Sequence, residues 1–165
     1  WEMALQHHNC PSALLLSRQN LPALPHQADG AESIKRGGYI LKDCESTPDV
    51  ILMATGSEVQ LALEAQTIAM AEGIQVRVVS MPCCELFLEQ PKSYQHEVFP
   101  DNVRARIAIE AGSTAYWYQW VGLDGAVIGM DCFGVSAPAA DAYEAMGITV
   151  SRIIETIKQL TNQSK

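Results

Sequence analysis

DVILMATGSEVQLALEAQTIAMAEGIQVRVVS, residues 49–80, decides the fold. Residues 49–55 are almost continuously apolar, without the alternation that a half-exposed strand would show. Such a run suits a strand buried on both faces, which needs parallel neighbours and covering helices. Gly56 and Ser57 turn the chain, and the spacing then predicts a helix from about 58 to 71. Its inner face carries Val59, Leu61, Ala62, Ala65 and either Ile68 or Ala69. Gly73 stands where a helix C-cap glycine belongs. Residues 74–80 read as the next strand, so 49–80 is one βαβ unit, parallel and right-handed by the usual crossover rule.

Reading outward, Gly37 and Gly38 precede a strand of mixed polarity over 39–43, which belongs at a sheet edge. Short helical turns are expected over 84–99, around Pro91, and further strands over 106–111 and 125–130. Helices over 136–146 and 150–160 close the domain. In the second, Val150, Ile153, Ile154, Ile157 and Leu160 form a clean apolar stripe.

The first 22 residues have a different character. Trp1, Ala4, Leu5 and His8 share a helical face, suiting the last turns of an amphipathic helix. Residues 12–17 read as a short strand buried on both faces, for which this chain holds no companions. With no initiator Met and no signal-like segment, 1–22 is expected to be the tail of a preceding domain. Two prolines and a glycine make 23–31 a linker.

Composition sets the class. The chain has 165 residues, 48% of them hydrophobic, and its net charge of −8 comes from 11 Lys and Arg against 19 Asp and Glu. That balance disfavours nucleic acid and anionic membrane as partners. Five cysteines without a CxxC suit a reduced, cytoplasmic protein.

The candidate sites are weighed residue by residue. Ser57 and Gln60 have capping-box spacing, which outweighs an anion cradle because neither GxGxxG nor a P-loop is present. His7, His8, His26 and His96 form no set with metal-ligand spacing. Cys83 and Cys84 have no histidine near them in sequence and read as packing residues. Glu110 ends a strand where α/β sheets bind ligands, yet it has no acid–base partner, so a salt bridge or turn cap is favoured. Tyr116, Trp117, Tyr118 and Trp120 cannot all face one core, and some should cover another domain or subunit. Arg18 closes the apolar run at 12–17, and its planar fork suits a phosphate or carboxylate. An interdomain salt bridge is the balanced alternative for it.

Several stretches together resemble the C-terminal end of transketolases: SALLLSRQNLP at 12–22, KRGGYILKD at 35–43 and DVILMATGSEVQLALEA at 49–65. VRVVSMP at 76–82, ARIAIEAG at 105–112 and YWYQWVGLDGAVIGMDCFGVSAPA at 116–139 continue the likeness in order. The resemblance implies an α/β fold, a three-layer α/β/α sandwich. Its mixed five-stranded sheet should have the first strand antiparallel. It makes 1–22 the last helix and strand of a pyrimidine-binding domain and 32–165 the C-terminal domain. The implied activity is transfer of a two-carbon ketol unit from a ketose phosphate to an aldose phosphate. Thiamine diphosphate and Mg²⁺ or Ca²⁺ serve the full-length enzyme, a homodimer, and the residues that handle protons lie in its first two domains. Arg18 matches the family's LSRQN arginine, which binds the sugar phosphate. No catalytic, cofactor or metal residue is implied in this chain, which is expected to be inactive alone. The C-terminal domain of another thiamine diphosphate enzyme, or a free-standing binding module, remains the alternative at this stage.

Overall fold

The computed structural model describes residues 2–24 and 30–163, with the side chains of residues 30, 31 and 163 left aside. Trp1 and residues 25–29, which include His26 and most of the expected linker, lie outside the described residues. Helix α1 (Glu2–Gln6) has no buried residue. Helix α2 (Gly30–Lys35) has no counterpart in the sequence reading. Lys35 joins the two helices by an ion pair of 3.1 Å to Glu2, supported by a second to Glu32 at 2.8 Å. These pairs are solvated and contribute little each.

Five strands follow: β1 (Tyr39–Lys42), β2 (Val50–Ala54), β3 (Val76–Ser80), β4 (Arg106–Ile109) and β5 (Ala126–Ile128). They form one sheet in the order β1-β3-β2-β4-β5. β1 runs antiparallel to β3 and lies at an edge; the other pairings are parallel. Helix α3 (Glu58–Ala71) connects β2 to β3, as the βαβ reading requires. It ends in a Schellman turn: Ile74 N–H reaches Ala69 O at 3.1 Å, Gly73 N–H reaches Met70 O at 3.0 Å, and Gly73 has φ +86°.

Every residue of β2 is fully buried, and alternation divides them between two cores. Val50, Leu52 and Ala54 face α3 and helix α8 (Val150–Gln163), packing with Ala62, Ala65, Ile153 and Ile157. The inner face of α3 uses Ala69, while Ile68 is exposed. Ile51 and Met53 face the opposite layer, built from helices α4 (Cys84–Leu88), α5 (Lys92–Val98) and α6 (Tyr118–Val121). There Phe87, Phe99 and Trp120 meet edge-on or tilted, with ring centroids 5.5–6.2 Å apart. Each large side chain so buried contributes about 1.5–3 kcal/mol. The three-layer α/β/α sandwich with an antiparallel first strand is therefore present.

Gln66 on α3 is a buried polar group that the sequence reading passed over. Its Nε2 donates to the carbonyl of Val76 at 2.7 Å, tying the helix to the start of β3. Among the described residues no helix is long and apolar enough to cross a membrane.

Residues 12–17 correct one expectation. They are exposed, Leu15 by 91%, and pair with no strand of the sheet. Strand structure depends on hydrogen bonds to a neighbour, and both edges of this sheet lie elsewhere.

Gly37 has φ +79°, and a Cβ there would stand 2.3 Å from Cys83 O and 2.5 Å from Phe87 N. Gly73 has a similar φ but open space around it. Left-handed strain alone should make Gly73→Ala cost about 1–2 kcal/mol. Added overpacking should bring Gly37→Ala to about 2–5 kcal/mol. Urea denaturation of the two variants checks the ranking, and equal losses would contradict it.

Candidate functional site

β2, β3 and β4 bring their carboxyl ends to one edge, where open α/β sheets place their ligands. Thr55–Ser57, Met81–Cys83 and Glu110–Ala111 continue from these ends, and residues 13–17 and 19 lie across them. Between sheet and segment is a cleft of about 890 Å³. Its charged lining residues are Glu58, Glu85 and Glu110, with no lysine, arginine or histidine among them. Like charges repel in a cleft of reduced dielectric. The lining therefore does not fit a diphosphate. Nor do any three His, Cys, Asp or Glu among the described residues converge to hold its divalent ion.

The turn after β2 corrects the capping-box expectation. Ser57 has helical dihedrals, φ −68° and ψ −27°, and its side chain makes no cap hydrogen bond. An N-cap side chain needs an extended backbone to reach the N2 or N3 amide, and Ser57 has already entered the helix. Its Oγ lies 2.8 Å from the hydroxyl of Tyr143, on helix α7 (Ala139–Ala145). That hydroxyl donates to Glu58 Oε1, and Glu58 is only 5% exposed. Burial first, and then the bond to Glu58, raise the Tyr143 phenol above its ordinary value, so it stays a neutral donor. Gln60, the other half of the expected box, instead donates to the Pro22 carbonyl at 3.4 Å.

Arg18 lies at the rim of this arrangement. It is exposed, and it forms no ion pair among the described residues, while Ser17 and Gln19 on either side line the cleft. Glu110 neither caps a turn nor pairs with a cation; it accepts a hydrogen bond from the indole Nε1 of Trp117. The aromatic cluster divides as helical geometry demands. Trp117 and Trp120 are buried, whereas Tyr116 and Tyr118 are exposed by 42% and 57%. His7, His8 and His96 are all surface residues, and His96 Nδ1 is 3.8 Å from Asp101.

Cys84 is a buried packing residue, and Cys83 beside it is half-buried. Burial pushes the Cys84 thiol up to about 11, and burial also raises Cys83 and Cys44. None is a poised thiolate near neutral pH. The Ser57–Glu58–Tyr143 cluster and the place of Gln19 in the cleft lining escaped the sequence reading. Eighty-five positions separate Glu58 from Tyr143, and no local pattern signals such a pair.

Over residues 37–149 the sequence matches the family described as the transketolase-like C-terminal domain. Transketolase 2 of Vibrio parahaemolyticus is 49% identical over 160 residues, 97% of this chain and 24% of that protein. The solved transketolase of Campylobacter jejuni superposes with TM-score 0.82 at 35% identity, over 93% of this chain and 23% of that one. A Pichia stipitis transketolase solved with sedoheptulose-7-phosphate matches with TM-score 0.78 at 32% identity, over 88% of this chain and 20% of that one. The chain spans about a quarter of the length of the curated relatives it matches.

The thiol shifts set an order of reactivity. A raised pKa keeps a thiol protonated until the pH approaches that value, so Cys84 should resist alkylation at pH 8. Exposed Cys10 and Cys132 should react with iodoacetamide first. Time-resolved mass spectrometry checks the order, and early labelling of Cys84 would contradict the packing assignment.

Proposed function

The chain belongs to the transketolase-like C-terminal domain family, and on that footing we propose that it works as the C-terminal domain of a transketolase. The proposed activity is transfer of a two-carbon ketol unit from a ketose phosphate to an aldose phosphate. One observation carries this reading: identity of 49% sustained over 97% of the chain with a transketolase. On this reading residues 1–22 are the end of a pyrimidine-binding domain, 23–31 a linker and 32–165 the C-terminal domain. The exposed leucines at 14–16 would then meet the sheet they lack here. Tyr116 and Tyr118 would meet a preceding domain or the second subunit of a homodimer.

Within this assembly Arg18 binds the phosphate of the sugar. The Pichia stipitis protein was solved with such a ligand, sedoheptulose-7-phosphate. Two features of this chain support the assignment. Among the described residues Arg18 has no ion pair to give up, so an incoming dianion meets an exposed guanidinium. Moreover, the acidic cleft beside it repels phosphate, which leaves the exposed rim as the place where an anion is welcome. The fork of the guanidinium offers two parallel, charge-assisted bonds.

Thiamine diphosphate and Mg²⁺ or Ca²⁺, which supply the carbon–carbon bond chemistry, are assigned to the rest of the enzyme. This chain's own part is to present one substrate contact and hold it on a rigid scaffold.

Arg18→Ala in the intact enzyme should remove a contact worth about 1.5–3 kcal/mol. The loss in kcat/KM for phosphorylated donors is then roughly 10- to 150-fold. It should fall mostly on KM, because the phosphate is remote from the reacting carbons. Lysine should rescue only partly. An unphosphorylated ketol donor should be nearly indifferent, and equal losses for both donors would make Arg18 structural. A second outcome follows for the 165-residue chain alone. Calorimetric titration with thiamine diphosphate and Mg²⁺ should give only heat of dilution, and micromolar binding would refute that assignment.

A further inference from the structure

The thiol of Cys132 points at a thioether. Its Sγ lies 3.9 Å from Sδ of Met146, the residue that caps the end of α7. Met146 also lines a cavity of about 230 Å³ between α7, the loop after β5 and the end of β4, and Met130 lines the same cavity. Three sulfur-bearing side chains therefore gather at one cavity and its rim. The other walls are mainly apolar, with Val135, Ala142 and Ile148 among them, and no carboxylate, imidazole, ammonium or guanidinium lines them. The backbone around the sulfurs is held. Met130 N–H donates to Gly112 O at 2.9 Å, and Met146 N–H donates to Ala142 O at 3.0 Å. Asp131, next to Cys132, accepts from the Thr114 amide at 2.9 Å and from its hydroxyl at 2.6 Å. Cys132 is exposed while Met130 and Met146 are half-buried, so an ion can enter from solvent.

We propose that Cys132, Met146 and Met130 form a binding site for a soft monovalent metal cation of the Cu(I) class. Thiolate and thioether sulfur select such ions, whereas Mg²⁺ and Ca²⁺ demand oxygen ligands that these walls do not supply. Charge points the same way. One thiolate neutralises a single positive charge, and a divalent ion would leave net charge against an apolar wall. The spacing also fits. With metal–sulfur bonds of about 2.3 Å, the length that thiolate makes to zinc, two sulfurs 3.9 Å apart subtend about 116° at the ion. That angle is close to trigonal, with Met130 as the third ligand. On binding, the Cys132 S–H bond breaks, its proton passes to water and the sulfur–metal bond forms, with no change of oxidation state. The site is separate from Arg18 and does not depend on the sugar-phosphate reading.

The test uses the 165-residue chain, isotopically labelled at its methionine methyl groups, with Ag(I) as a probe that shares this chemistry and does not cycle to a divalent state. One equivalent should shift the Met130 and Met146 methyl signals together and leave those of Met3, Met53, Met70 and Met81 in place. It should also slow iodoacetamide labelling of Cys132 well before that of Cys10, which is exposed too. Cys132→Ser, at the surface, should abolish both methyl shifts without loss of folding. Met146→Leu and Met130→Leu roughly conserve volume. Each should weaken binding by at least the roughly 10-fold that loss of an outer partner of a metal ligand costs. Methyl shifts that survive Cys132→Ser overturn the site, as does equal protection of Cys10 and Cys132. Full affinity in either leucine variant overturns it as well.

Discussion

Strand β2 must be kept from water on both faces at once, and most of the architecture answers that demand. Five consecutive residues at zero exposure cannot be covered by one layer of helices. Their alternation sends Val50, Leu52 and Ala54 toward α3 and α8 and sends Ile51 and Met53 toward the aromatic layer. The backbone of β2 must also be paired on both sides, so β3 and β4 flank it in parallel and the edges fall to β1 and β5. Parallel register then aligns the carboxyl ends of three strands. The cleft is a geometric by-product of that alignment. Its position was set by the burial of β2 before any side chain at its rim acquired a role.

This hierarchy explains which features were legible in the sequence. The burial of β2, the length of α3, its Schellman stop at Gly73 and the stripe on α8 are local patterns, written in hydrophobic spacing and one glycine. Each can be read within about fifteen residues, and each is present. The division of the 116–120 aromatics was legible for the same reason, since helical geometry forbids a single face. Helix α2 was not, because its six residues carry no apolar periodicity, begin with a glycine and follow a stretch with two prolines. The resemblance in motif, by contrast, pointed to the family, whereas no pattern of spacing in the chain would have done so.

Two of the corrections have a common physical origin. Ser57 and Gln60 have the letters of a capping box, and residues 12–17 have the letters of a buried strand. In both cases the local code was overruled by what lay across space. Tyr143, far along the chain, offers Ser57 a better partner than the α3 amides do, and the Pro22 carbonyl draws Gln60 away. For 12–17 the deciding partner is a neighbouring strand, and the sheet present here has no edge beside that segment. Side chains that compete for backbone hydrogen bonds are where sequence rules fail most readily. Here that competition falls on the turn that faces the cleft.

The molecule thus joins a scaffold and a segment of very different stability. The scaffold is held by two apolar cores, in which single side chains contribute on the order of 2 kcal/mol each. Among the described residues, the hydrogen bond that ties the segment around Arg18 to the scaffold is that from Gln60 to the Pro22 carbonyl, which contributes about 1 kcal/mol net. Regions of that kind open locally at far lower free energy than the core, without disturbing it. The stance of Arg18 can therefore change while every strand of the sheet stays in register. Placing the cation on the loosely held element would keep it adjustable to the sugar phosphate proposed for it. A guanidinium built directly into β2 would have been rigid but buried, with its charge uncompensated. One on a wholly free segment would lose much of its binding energy to ordering. The hydrogen bond from Gln60 on α3 to the Pro22 carbonyl, four residues along from Arg18, places the segment between those extremes.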